Sequence, residues 1–123
     1  NKAQVKVYER PVPGGKTALT LYKTLAVRNG LSLLECDLIT GRAHQIRAQF
    51  AAAGHPLLGD GKYGRERDNK QYGRSYQALY SYKLRFEFTT DAGCLNELNG
   101  REWTVKDVDF VSEYFPDYPI GCP

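Results

Sequence analysis

Val5, Val7 and Val12 alternate with polar neighbours and predict a first edge strand, which Pro11-Val12-Pro13-Gly14-Gly15 then breaks. Residues 17–28 read as the next strand, with Leu19, Leu21, Leu25 and Val27 sharing a parity. Asn29-Gly30 suits a two-residue primed turn, so a return strand is expected from Leu31 to Ile39, with Leu34, Cys36 and Leu38 on one face. The period then changes. Ala43, Ile46, Phe50 and Ala53 recur at helical spacing and predict a helix from about Thr40 to Ala53, its narrow apolar stripe turned against the hairpin. Thr40 can cap its start and Gly54 can end it, and His55 before Pro56 leaves the helical region.

Beyond the helix, residues 61–75 are charged and glycine-rich without a period and read as an exposed loop. Leu79 to Thr89 reads as strand again, with Tyr80, Tyr82, Leu84, Phe86 and Phe88 alternating with Ser81, Lys83, Arg85 and Glu87. Residues 91–100 form a turn region, Glu102 to Lys106 a short strand that pairs back, and Asp107 to Asp117 a short helix stopped by Pro116 and Pro119. No internal repeat is present. The predicted class is α+β, mainly antiparallel mixed sheet with one helix.

Composition narrows the picture modestly. The 123 residues suit one domain, and a hydrophobic fraction of 41% supports folding. No apolar run reaches membrane-spanning length and no signal-peptide pattern opens the chain. The chain has no methionine, which suggests a piece cut from something larger. Cys36, Cys94 and Cys122 are odd in number, far apart, and lack zinc or redox spacing, which points to a reducing cytoplasm, with Cys36 a small core residue. The net charge of +3 is unevenly spread: residues 1–85 hold 15 Lys and Arg against 6 Asp and Glu, and residues 86–123 hold 2 against 8. A basic front half suits a polyanion such as RNA, and solvated surface charge accounts for it equally well.

The densest polar cluster is Arg42, His44, Gln45 and Arg47. On a helix Arg42 lies near Gln45 and His44 near Arg47, and Arg47 borders the apolar stripe, so its charge requires a carboxylate or phosphate partner. Donors in a helix's first turns also favour an anion. The plain alternative is a surface helix with solvated arginines. The loop Gly59-Asp60-Gly61-Lys62-Tyr63-Gly64 lacks phosphate-loop spacing and reads first as a turn that needs positive φ. Lys62, Arg65, Arg67, Lys70, Arg74, Lys83 and Arg85 interleave with Tyr63, Tyr72, Tyr76, Tyr80 and Tyr82, a mixture suited to phosphate contact and base stacking. Tyr80 and Tyr82 fit cross-strand packing better, and Tyr72 and Tyr76 fit either role. His44 and His55 are the only histidines, and no metal constellation or nucleotide fingerprint is visible.

Leu38-Ile39-Thr40-Gly41-Arg42-Ala43-His44-Gln45-Ile46-Arg47 resembles a motif of pseudouridine synthases of the ribosomal large-subunit type. Three further segments agree in order and spacing. Ala18-Leu19-Thr20-Leu21-Tyr22 resembles the preceding strand, His55 to Gly64 the following loop, and Leu79 to Phe86 the last core strand. The resemblance is strongest over residues 17–90. It implies that residues 1–123 are the C-terminal portion, about half, of a pseudouridine synthase catalytic domain. It implies an enzyme that breaks a uridine's N-glycosidic bond, turns the base and rejoins it through carbon 5. No cofactor or metal is implied. The expected substrate is a uridine of structured rRNA or tRNA, acted on in the cytoplasm, with the full-length enzyme monomeric and free of the membrane.

By the same resemblance Arg47 is catalytic, pairing with an aspartate in a His-Arg-Leu-Asp run that these 123 residues do not contain. Arg42, His44 and Gln45 line the RNA cleft, Leu79 packs on the target base, and Lys62 and Tyr63 bind substrate from the following loop. None of the seven aspartates follows Arg-Leu, and the family's tyrosine motif is not recognisable, so the isolated chain is expected to be inactive. The alternative is a non-catalytic RNA-binding module derived from the same fold. Ala43 stands where the family has threonine, and Ala48-Gln49 where it has valine–histidine.

Overall fold

The computed structural model describes residues 6–85, 87, 90–105 and 107–119. In chain order the elements are β1 (Thr20–Arg28), β2 (Leu31–Leu38), α1 (Gln45–Ala52), α2 (Glu66–Gln71), β3 (Lys83–Arg85), β4 (Glu102–Thr104) and α3 (Asp109–Tyr114), with a 3₁₀ turn over Gly93–Leu98 before β4. The class is α+β, as expected. Among the described residues the strands form two separate two-stranded sheets, β1 with β2 and β3 with β4, and three α-helices are present, the unpredicted one being α2. The chain divides into two compact units. One holds the residues up to Val27 together with Ser32–Leu79; the other holds Arg28–Leu31 and the chain from Tyr80 onward.

The β1–β2 turn follows its local chemistry. Asn29 and Gly30 both take positive φ, 52° and 77°, as a primed turn demands. The expected burial pattern does not hold. Leu19, Leu21 and Val27 are about half or more exposed, as are Leu38 and Ile39, and the buried residue of β2 is Leu33, on the opposite parity to Leu34, Cys36 and Leu38. A two-stranded ribbon has two faces and this unit covers only one, so alternation alone could not say which. Cys36 is half-buried, and burial followed by the neighbouring Glu35 carboxylate pushes its thiol pKa up. The expected edge strand near Val7 and Val12 is absent among residues 6–19. Pro11 and Pro13 have no N–H to donate to a ladder, and Val5 lies outside the described residues.

Helix α1 ends where the sequence said and begins later. Gly54 takes φ +87°, its N–H donates to Ala51 O at 3.0 Å, and the His55 N–H donates to Phe50 O at 2.8 Å. This pair of bonds is a Schellman stop. At the other end Thr40 is not the cap. The helix starts at Gln45 after His44, which sits in the left-handed region at φ 50° and makes no side-chain cap. With that start the inward residues change. Ala43 and Ala53 are exposed, Ile46 and Phe50 are half-buried, and the buried positions are Gln45 and Ala48. Phe50 packs edge-on against Tyr22, ring centroids 5.3 Å apart.

The stretch read as a loop contains α2. Its six residues, Glu66 to Gln71, carry no apolar stripe, so periodicity could not reveal it. It is held by acidic residues in its first turn, a Glu66–Lys70 pair at 3.2 Å and an Arg65–Asp68 pair at 3.7 Å. In the second unit, β3 is much shorter than the expected Leu79–Thr89 strand, and Tyr80 and Leu84 are about half exposed. Phe86, Phe88 and Thr89 lie outside the described residues. The predicted return strand is present as β4, antiparallel to β3 with Leu84 opposite Trp103. Helix α3 stops before Pro116 as expected, and the buried apolar residues of this unit are Val108, Val111 and Phe115.

Candidate functional site

The Thr40–Arg47 segment and the His55–Gly64 loop meet in the first unit. Their meeting begins with the joint between the hairpin and α1. Thr40 returns to the start of β1, its N–H donating to Leu19 O at 3.3 Å and its hydroxyl accepting the Leu19 N–H at 2.8 Å. Gln45 then locks the turn. Its Oε1 accepts the Thr40 hydroxyl at 2.7 Å and the Arg42 N–H at 2.9 Å, and its Nε2 donates to Leu19 O at 3.0 Å and to Thr20 Oγ1 at 2.8 Å. The Thr20 hydroxyl in turn donates to Gln49 Oε1 at 2.7 Å, and Gln49 Nε2 donates to Ala18 O at 3.2 Å. A polar seam therefore docks α1 on β1, with Ala48 buried beside it. The two family departures at Ala48 and Gln49 fall in this seam.

Gln45 was expected to line an RNA cleft. It is 5% exposed, and an amide offers two acceptor and two donor positions. All four are used inside the chain, so the structure makes Gln45 a scaffold residue. The signal that could have shown this is the pattern Thr40…Gln45 across a turn, in which a side-chain amide reaches back to an unpaired backbone N–H as in a capping box.

Arg47 projects from α1 to Asp60 of the loop. Nε donates to Oδ2 at 2.8 Å and Nη2 donates to Oδ1 at 2.9 Å, a two-pronged ion pair. The Asp60 side chain is fully buried and that of Arg47 is 17% exposed. Oδ1 also accepts the backbone N–H groups of Lys62 at 2.9 Å and Tyr63 at 3.1 Å. Chiefly because of the Arg47 hydrogen bond, and then the two backbone donors, the Asp60 carboxyl titrates at about 2 despite its burial. The same bond raises the pKa of Arg47. Within the chain the carboxylate partner of Arg47 is Asp60; the expected pairing with an aspartate of a His-Arg-Leu-Asp run concerns residues that these 123 do not contain. Sequence reasoning missed Asp60 because it sits 13 residues away in a loop whose glycines advertised only a turn.

The loop is built to hold that carboxylate. Gly59 takes φ +82°, and a Cβ there would collide with the Tyr76 carbonyl. Asn69 of α2 brackets the site, Oδ1 accepting the Gly59 N–H at 2.7 Å and Nδ2 donating to Asp60 O at 3.3 Å. Tyr63 joins both halves of the cluster. Its hydroxyl is 2.8 Å from His44 Nδ1, and its ring lies 5.3 Å from the Arg47 guanidinium carbon.

Of the predicted site residues, His44, Arg47 and Tyr63 therefore come together, with Lys62 adjacent through its backbone. Arg42 is exposed at the same joint, its Nε donating to Thr17 O at 2.9 Å. Leu79 is 41% exposed, and its N–H donates to Gln77 O at 2.9 Å. No group of three or more His, Cys, Asp or Glu that could hold a metal lies among the described residues. No helix among them is long and apolar enough to cross a membrane.

Residues 1–52 match the family described as RNA pseudouridylate synthase. An uncharacterized RNA pseudouridine synthase of Bacillus subtilis is 53% identical over 57 residues, covering 45% of this chain and 19% of that protein. A ribosomal large subunit pseudouridine synthase D of Zymomonas mobilis is 35% identical over 106 residues, 86% of this chain and 31% of that protein. The corresponding protein of Neisseria meningitidis serogroup A is 43% identical over 81 residues, 59% of this chain and 22% of that protein. The chain thus spans between a fifth and a third of the length of these curated relatives. No solved structure matches the chain. The resemblance to pseudouridine synthases read from the sequence is borne out by these relatives.

Proposed function

We propose that this chain, a relative of the RNA pseudouridine synthases, forms part of an enzyme that isomerises uridine to pseudouridine in structured rRNA or tRNA. The observation that carries the reading is the convergence of Arg47, His44 and Tyr63 from the two segments that carry the family resemblance. In this reading Arg47 pairs with the reacting aspartate, orienting it and keeping it ionised. Arg42, His44, Lys62 and Tyr63 face the RNA, and Leu79 packs on the target base. The enzyme works as a cytoplasmic monomer without cofactor or metal. No aspartate of the 123 residues follows Arg-Leu, so the reacting carboxylate is supplied by another part of the whole protein and the isolated chain makes no pseudouridine.

The test is tritium release from RNA labelled at uridine carbon 5, using the whole protein that carries this chain. Arg47→Ala should lower turnover by orders of magnitude and leave RNA affinity within about tenfold, roughly 1.4 kcal/mol. Near-normal turnover at saturating RNA with collapsed binding would show that Arg47 only holds phosphate. RNA binding by the wild-type protein without tritium release would favour the non-catalytic module.

A further inference from the structure

The ion pair does more than neutralise Arg47. A guanidinium carries five N–H donors in a rigid plane. Asp60 takes the Nε–Nη2 side of the fork, and Nη1 makes no hydrogen bond among the described residues. The guanidinium carbon lies over the Tyr63 ring, 5.3 Å from its centroid, so with one edge pinned by Asp60 and the ring beside it the group is restricted in how it can turn. Asp60 is itself immobile: two backbone N–H groups hold Oδ1, and Asn69 clamps the backbone on either side of it. A buried carboxylate with this many fixed partners is a reference point from which the arginine is aimed.

We propose that Asp60 is a positioning residue for the reaction. It holds Arg47 by one edge and presents the Nη1 end to the reacting carboxylate. This rests on the reading of Arg47 given above. Because Asp60 already balances the charge of Arg47, what the pair offers a second carboxylate is chiefly directed N–H donors. Misaim should therefore show in the chemical step and not in RNA binding.

The whole protein carries the test. Asp60→Asn keeps an acceptor for the Lys62 and Tyr63 N–H groups but sets an amide N–H against the guanidinium. Turnover at saturating RNA should fall about 10- to 100-fold with KM for RNA within about threefold. In an Arg47→Ala background the same substitution should cause no further loss, because its effect runs through the arginine. Should Asp60→Asn not fold, Asp60→Glu runs the same cycle with the charge kept and the arm lengthened, and the same non-additivity is expected. Wild-type turnover in the Asp60 variants, or an equal fractional loss with and without Arg47, would overturn the inference and leave the proposed function standing. A wild-type protein that makes no pseudouridine would overturn both.

Discussion

Removing Arg47 tests the energetics of the site independently of any activity. The Asp60 side chain is fully buried, and four donors hold it: Arg47 Nε, Arg47 Nη2, and the N–H groups of Lys62 and Tyr63. Its carboxyl is lowered from 3.8 to about 2. At about 1.4 kcal/mol per pH unit, that shift corresponds to about 2 kcal/mol of folding stability at neutral pH. The sign follows from which state binds the proton more tightly. A carboxyl depressed in the folded state stabilises it above the unfolded value near 4, and the contribution fades as pH falls toward 2. About half of it should be gone by pH 3. Arg47→Ala leaves the carboxylate buried with only two backbone donors, which should cost about 3–5 kcal/mol at pH 7. The variant's Asp60 then protonates more readily, so its deficit should shrink on acidification. Urea unfolding of the whole protein and its Arg47→Ala variant at pH 7 and pH 3 reads both numbers. A deficit under about 1 kcal/mol at pH 7, or one that does not change between the two pH values, would refute a buried, ionised pair.

Three further outcomes are expected. Gln45→Ala strips four hydrogen bonds from the joint between β1 and α1 and should destabilise the protein by about 2–3 kcal/mol in chemical denaturation, since the Arg42 N–H and the Thr40 and Thr20 hydroxyls lose a partner while Leu19 O keeps only the Ile39 and Thr40 N–H groups. Gly59→Ala meets both a positive φ and the Tyr76 carbonyl, so the melting temperature should drop by several degrees, about 2 kcal/mol or more; an unchanged melting temperature would mean the loop is free to move. Phe50→Ala removes a half-buried ring and its contact with Tyr22, and thermal unfolding should report a loss of about 2 kcal/mol, below the full cost of emptying a core phenylalanine.

The sequence by itself determined what depends on a few adjacent residues. Asn29-Gly30 forms its turn because both φ angles must be positive there. Gly54 ends α1 because a left-handed residue lets its own N–H and that of His55 fold back on the helix. Pro116 bounds α3 because proline cannot continue a helix. The return strand Glu102–Thr104 and the cluster of His44, Arg47 and the following loop were legible for similar reasons: each is a short run whose residue types are unusual in company. Tertiary structure decided which faces are covered and which polar groups meet. Gln45, a polar residue off the apolar stripe, is buried because the start of β1 and the turn before α1 together offer partners for all four positions of its amide. Helix α2, without an apolar stripe, formed where Asn69 could clamp the Asp60 loop. The partner of Arg47 within the chain is Asp60, 13 residues away, because pairing of charges depends on where the following loop returns to the helix, and no local period records that return.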